Sequence, residues 1–157
     1  MHVVLRSSQA KGDWSFRRAK NYKNIRRLVE KFAVMYVAHV HSMANVGNHL
    51  HLHIKFVSRP SYTAFIRALS GAIAMVVTGV NRWTKHRARP NQATREKKFR
   101  FWDHRPYSRI VLNLRHFLNL KDYVAENQLE GQGISRDVTW LINEIERDKN
   151  GNPADFG

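Results

Sequence analysis

The chain has 157 residues, with 27 Lys and Arg against 12 Asp and Glu, so its formal net charge is +15 before nine His are counted. That length fits one domain, and with 43% hydrophobic residues, among them eight Phe and four Trp, it can bury a sizeable core. The absence of Cys excludes a disulfide framework, a thiolate zinc site and a thiol nucleophile, and it suits a reducing compartment. So basic a surface concentrates polyanions, which makes nucleic acid the first expected partner and anionic membrane the second.

The opening residues lack the charged, apolar and small-residue segments of a secretory signal, so the expectation is a cytoplasmic protein. His2 to Arg6 is a β-branched run that predicts a strand, and Ser7 to Phe16, with Ser, Gly and Asp and no periodicity, predicts a loop. From Asn21 to Phe32 the spacing of Ile25, Leu28, Val29 and Phe32 predicts an amphipathic helix. Met35 to Ser42 and Asn48 to Phe56 alternate, and the turn residues Asn45-Val46-Gly47-Asn48 between them predict a hairpin. Arg59-Pro60-Ser61 breaks that pattern, and Tyr62 to Trp83 predicts a second helix with Phe65, Ile66, Leu69, Ile73, Val76, Val77 and Val80 facing the core. Its most apolar stretch, Ala64 to Val80, is interrupted by Arg67 and Ser70 and is shorter than a membrane span needs, so no membrane is expected.

Lys85 to Arg100 is polar and cationic, and Phe101 to Leu112 returns to strand composition around Pro106, which an edge strand tolerates. Two helices close the chain: Leu114 to Leu129, ending before Gly131 and Gly133, and Arg136 to Asp148, with Ser135 as N-cap. One domain over residues 1–149 and a frayed tail over 150–157 follow. The order β, α, β, β, α, β, α implies an α+β fold, a ferredoxin-like antiparallel sheet with helices packed on it.

The segment Asn48-His49-Leu50-His51-Leu52-His53-Ile54 carries the most chemistry. Strand alternation sends His49, His51 and His53 to one face and Leu50, Leu52 and Ile54 to the other, and His39 and His41 repeat the pattern on the paired strand. Imidazoles two residues apart can reach one cation and leave positions open for a substrate oxygen; phosphate binding suits the same row, and an exposed face that happens to use His is the simpler alternative.

A site without Cys needs another nucleophile, and Tyr123 is the best placed tyrosine. On a helix it shares a face with Glu126 and Asn127, so one rigid element offers a phenol and a side-chain oxygen, with Gln128 in place of Asn127 if the helix frays. A core tyrosine with its hydroxyl in solvent is the simpler alternative. Arg82, Lys85, Arg87, Arg89, Arg95, Lys97, Lys98 and Arg100, opposed by Glu96 and edged by Trp83, Phe99 and Phe101, form the expected DNA-binding surface; Arg17, Arg18, Lys20, Lys23, Arg26 and Arg27 form a second cationic cluster.

Together these residues resemble the HUH single-tyrosine transposases, most closely the REP-associated tyrosine transposases. The family's Pro-Asn-His-hydrophobic-His is similar to Gly47-Asn48-His49-Leu50-His51, and its Tyr-Ile-x-x-Asn-Pro is similar to Tyr123-Val124-Ala125-Glu126-Asn127-Gln128. Its tryptophan-containing strand is similar to Phe101 to Tyr107, so the resemblance runs from His2 to Gly131. Gly47 replaces the family's Pro, and Gln128 replaces the Pro after Asn127. The resemblance implies a metal-dependent transposase or endonuclease, acting on single-stranded DNA with hairpin-bearing ends through a covalent 5′-phosphotyrosine. It implies Tyr123 as nucleophile, His49, His51 and Asn127 as ligands of Mg²⁺ or Mn²⁺, and a monomer or homodimer. His51 with His53 is the alternative ligand register, and Glu126 and Gln128 are alternative third ligands. A DNA- or RNA-binding protein that no longer cuts is the alternative function.

Overall fold

The computed structural model describes residues 1–80, 100–135 and 138. Strand β1 is His2–Arg6, helix α1 Ala19–Met35, β2 Ala38–Asn45, β3 His49–Phe56, helix α2 Arg59–Thr78, β4 Tyr107–Arg109 and helix α3 Leu114–Gly131. The four strands form an open antiparallel sheet in the order β2-β3-β1-β4, so the fold is α+β. The expected cationic run from Arg82 to Lys98, the helix Arg136 to Asp148 and the 150–157 tail lie outside the described residues, save residue 138.

Alternation divides the sheet into two chemically different faces. Val3, Leu5, Leu50, Leu52 and Ile54 are buried on one face, where Ile25, Val29 and Ala33 of α1 and Phe65, Leu69 and Ile73 of α2 cover them. The other face carries the histidines and is crossed by α3, which docks Leu120 and Val124 on Ala44. The described residues therefore form three layers: two helices, the sheet, and a single helix.

Several boundaries differ from the expectations. Helix α1 runs on to Met35 and β2 starts only at Ala38, because Val34, Met35 and Val37 stay 83%, 54% and 65% exposed and so never join an inward alternation. A bulge between Val40 and Ser42 then shifts the register of β2, turning Val40 and Met43 to the core and Ser42 and Ala44 to the histidine face. Pro60 does not precede α2 but sits in its first turn, where its missing N–H costs nothing, and the Ser58 hydroxyl caps it by accepting from the Ser61 amide at 3.2 Å. The helix stops at Gly79, whose φ is +69°, and Val76 and Val80, expected in the core, are 36% and 40% exposed. Helix α2 is long and apolar enough to cross a membrane by composition alone, but Phe65, Ile66, Leu69, Ile73 and Val77 are spent on the core described above.

The expected strand Phe101 to Leu112 shrinks to the three edge residues of β4. Phe101 and Trp102 instead pack with Phe16 in the core, and the Trp102 indole N–H donates to the Ser70 carbonyl at 3.0 Å. Asp103 then accepts from the Ser8 amide and hydroxyl, each at 2.8 Å, and its own amide donates to the Arg6 carbonyl at 3.1 Å, so one backbone bond and side-chain bonds rather than a continuous ladder hold this segment at the end of β1.

Candidate active site

Register puts the site together. On the histidine face, Arg6, Val4 and His2 of β1 lie opposite His49, His51 and His53 of β3, while Tyr107 and Arg109 of β4 lie opposite Val4 and His2. Helix α3 roofs only the β2 and β3 side of this surface. A cleft of about 620 Å³ is left between α3 and the β1–β4 edge, floored by His49, His51 and His2 and walled by Tyr107 and Tyr123.

Because Leu120 and Val124 anchor α3, Tyr123 faces the cleft and stays 44% exposed. Its ring stands edge-on to His51 and to His2, with centroids 5.8 Å away in each case. His49 and His51 lie 6.1 Å apart with their planes at 23°. The Nδ1 of His49 is 2.6 Å from the Asn48 side-chain oxygen, which only accepts, so Nδ1 holds the proton and Nε2 keeps its lone pair. The Nδ1 of His51 is engaged with Nε2 of His2 at 3.3 Å. Both contacts engage Nδ1, so Nε2 of His49 keeps its lone pair, and Nε2 of His51 does so when His51 is the donor to His2, an outer-shell arrangement common to metal-binding histidines.

Electrostatics point the same way. Burial, followed by the neighbouring His2 and His49, pushes His51 down to about 4, and burial followed by Arg6 lowers His49. Neutral imidazoles at physiological pH are electron-pair donors for a cation. Arg6, Arg105 and Arg109, with His104 and His116, supply the opposite chemistry along the cleft and favour an anion. Arg6 also pairs with Asp103 at 3.3 Å, whose carboxyl is held low chiefly by its bonds from Ser8.

Other residues singled out by the sequence land elsewhere. His53 is 1% exposed, under Phe117 at 4.4 Å and beside His41 at 4.9 Å, and it does not line the cleft. Its Nδ1 and the hydroxyl of Ser42, its cross-strand partner, are buried without a hydrogen-bond partner. The Asn127 amide donates to the Tyr123 carbonyl at 2.7 Å, and the Gln128 side-chain oxygen accepts from the Asn45 amide at 3.0 Å. Neither these two nor Glu126 lines the cleft. Arg100 is exposed. Gly47 has φ +90°, which a proline ring cannot adopt, so the residue that stands where the resembled motif has Pro belongs to a differently built turn.

Sequence reasoning missed His2, Tyr107, Arg109, His116 and Asn119, all of which line the cleft. Asn119 was within reach, since it stands one turn before Tyr123, at the spacing applied above only to the residues after it. Among the described residues no group of three His, Asp or Glu is placed to hold a metal ion. A cation here would find two imidazoles, His49 and His51, and would need its remaining ligands from outside this set.

No family model, curated protein or solved structure matches the chain.

Proposed function

We propose that this protein is a metal-dependent single-stranded DNA transposase or endonuclease of the HUH single-tyrosine kind, working in the cytoplasm on hairpin-bearing DNA ends. The observation that carries the reading is the Tyr123 ring standing 5.8 Å from His51, over the floor formed with His49. A strand, helix and hairpin order with the strand sequence β2-β3-β1-β4 supports a ferredoxin-like frame beneath it.

His49 and His51 would hold Mg²⁺ or Mn²⁺ through Nε2, and Asn127 would join them after releasing the Tyr123 carbonyl. The cation, when bound, polarises the scissile phosphate and neutralises charge developing on it. Arg6, Arg105 and Arg109 hold the flanking phosphates in the cleft, and helix α3 fixes the phenol for in-line attack. The Tyr123 oxygen forms a bond to phosphorus as the bond to the 3′ oxygen breaks. The phenol proton leaves to solvent at the exposed edge of the ring, and the departing 3′ oxygen takes one up. The product is a 5′-phosphotyrosine, which a new 3′-hydroxyl reverses to rejoin DNA.

End-labelled hairpin DNA incubated with the protein and Mn²⁺ should give a covalent protein–DNA band on a denaturing gel. Tyr123→Phe should abolish that band while leaving DNA affinity within about threefold. A second reading, a nucleic-acid-binding protein that does not cut, is favoured by the engagement of Asn127 with backbone and by the lack of a three-residue metal group among the described residues. Salt-sensitive binding with no adduct on any hairpin would select it.

A further inference from the structure

His2 is the least expected member of the floor. Its direct cross-strand partner is His53, and Val4 is the partner of His51, yet the His2 side chain reaches diagonally to His51. The two rings are almost coplanar, at 17°, with Nε2 and Nδ1 3.3 Å apart and centroids 5.5 Å apart. That separation is the nitrogen–nitrogen distance plus two ring radii, so the rings meet edge to edge through their nitrogens and are not stacked face on face. Tyr123 and Tyr107 stand edge-on to His2, with centroids at 5.8 and 6.3 Å, and limit its rotation.

A hydrogen bond between two neutral imidazoles has one proton and two possible owners. If His2 donates from Nε2, His51 accepts at Nδ1 and carries its own proton on Nε2, facing away from that bond. If His51 donates from Nδ1, Nε2 of His51 keeps its lone pair. Only the second arrangement lets His51 act as a ligand, and it gives His51 the same state that Asn48 imposes on His49.

We propose that His2 is a positioning residue for His51, accepting its Nδ1 proton so that the ring is fixed with an unprotonated Nε2 available to a divalent cation. Its value for catalysis rests on the reading above; its effect on the His51 tautomer does not. The role belongs to the acceptor atom, so shape alone cannot replace it.

Two variants of the full-length chain separate these terms. His2→Phe keeps an aromatic ring and removes the acceptor, whereas His2→Gln restores an acceptor on a flexible chain. The imidazole nitrogen shifts of His51, read by two-bond proton–nitrogen correlation without metal, should show an Nδ1-protonated ring in the wild type and in His2→Gln, and an Nε2-protonated population in His2→Phe. Mn²⁺ affinity, followed by the free-ion electron paramagnetic resonance signal, should fall about 10- to 100-fold in His2→Phe and return to within about fivefold in His2→Gln. An Nε2-protonated His51 in the wild type, or unchanged His51 shifts in His2→Phe, would overturn the proposal. So would a His2→Phe protein that binds Mn²⁺ as the wild type does. Failure of the wild type to bind Mn²⁺ would instead remove the metal reading, and the nitrogen shifts would still decide whether His2 sets the tautomer.

Discussion

Val37 closes helix α1 with φ +50°, a left-handed conformation found at no other non-glycine position among the described residues. For a β-branched side chain that conformation costs about 1–2 kcal/mol, and at 65% exposure Val37 recovers little of it by burial. The strain is held in place from both sides. The Ser61 hydroxyl donates to the Tyr36 carbonyl, and β2 begins one residue later. Val37→Gly should therefore raise unfolding free energy by about 1 kcal/mol in urea denaturation, net of the extra freedom glycine gives the unfolded chain. Val37→Ala should show no comparable gain, since alanine keeps the Cβ that makes the conformation costly. At this scale the sequence was informative wherever a residue's place depends on its own strand or helix. His49 and His51 follow from alternation alone, and Tyr123 from helical spacing. His2 and Arg109 did not, because alternation groups His2 with Arg6 and Arg109 with Tyr107 without saying that these faces meet His51; their place depends on pairing with residues far along the chain.

Helix α3 decides whether Tyr123 meets the histidines at all, and its seat on the sheet is narrow. A Cβ at Gly131 would lie 2.5 Å from the Asn45 carbonyl oxygen, a backbone atom that cannot swing away. Three residues earlier, Gln128 accepts from the Asn45 amide, so the end of α3 is keyed to the end of β2 from two positions. An alanine in a helix is ordinarily worth about 1 kcal/mol over glycine, but here overpacking of about 1–3 kcal/mol opposes it. Gly131→Ala should accordingly lower the thermal midpoint and weaken the nuclear Overhauser contacts between the Tyr123 and His51 rings. A higher midpoint with intact contacts would show that the seat is not tight. This close approach also explains why the expected helix ended too early. Glycine reads as a stop signal in a sequence, whereas Gly131 is retained inside the helix because nothing larger fits there. The opposite error occurred at Phe101 to Leu112: its composition is that of a strand, but Phe101 and Trp102 are drawn into the core beside Phe16 and only Tyr107–Arg109 reaches the ladder. Both errors come from tertiary contacts that local pattern does not encode.

For the whole molecule, charge and protonation act together. With a net charge of +15, binding to single-stranded DNA should weaken steeply with salt, by about 0.7 logarithmic units of affinity per logarithmic unit of salt for each phosphate neutralised. Arg109→Gln should lower that slope by about 0.7 in a fluorescence-anisotropy salt titration, if the cleft is where the strand lies. Stability carries a separate pH signature. Burial as the first cause holds both His51 and His53 down to about 4 in the fold, while an unfolded histidine titrates near 6.5. Between those values the unfolded chain binds more protons than the native one, so unfolding free energy rises with pH across the window and falls as the pH is lowered through it. The contribution is fully present above about 6.5 and is lost as pH approaches 4. Each imidazole should add roughly 1.4 kcal/mol per pH unit to the slope near the middle of the window. Lowered values at His2, His41 and His49 act in the same direction, whereas Asp103, a carboxyl held low, has its effect at the acid end. Urea denaturation in a chelating buffer at intervals from pH 7.5 to 4.5 should show this slope. His53→Met should reduce it by about one proton's worth, because Met keeps the packing under Phe117 without a group to titrate. A flat profile for the wild type would mean that the native and unfolded chains bind equal numbers of protons across the window, so that the histidines on this face titrate near 6.5 in the fold as well and burial does not hold His51 neutral.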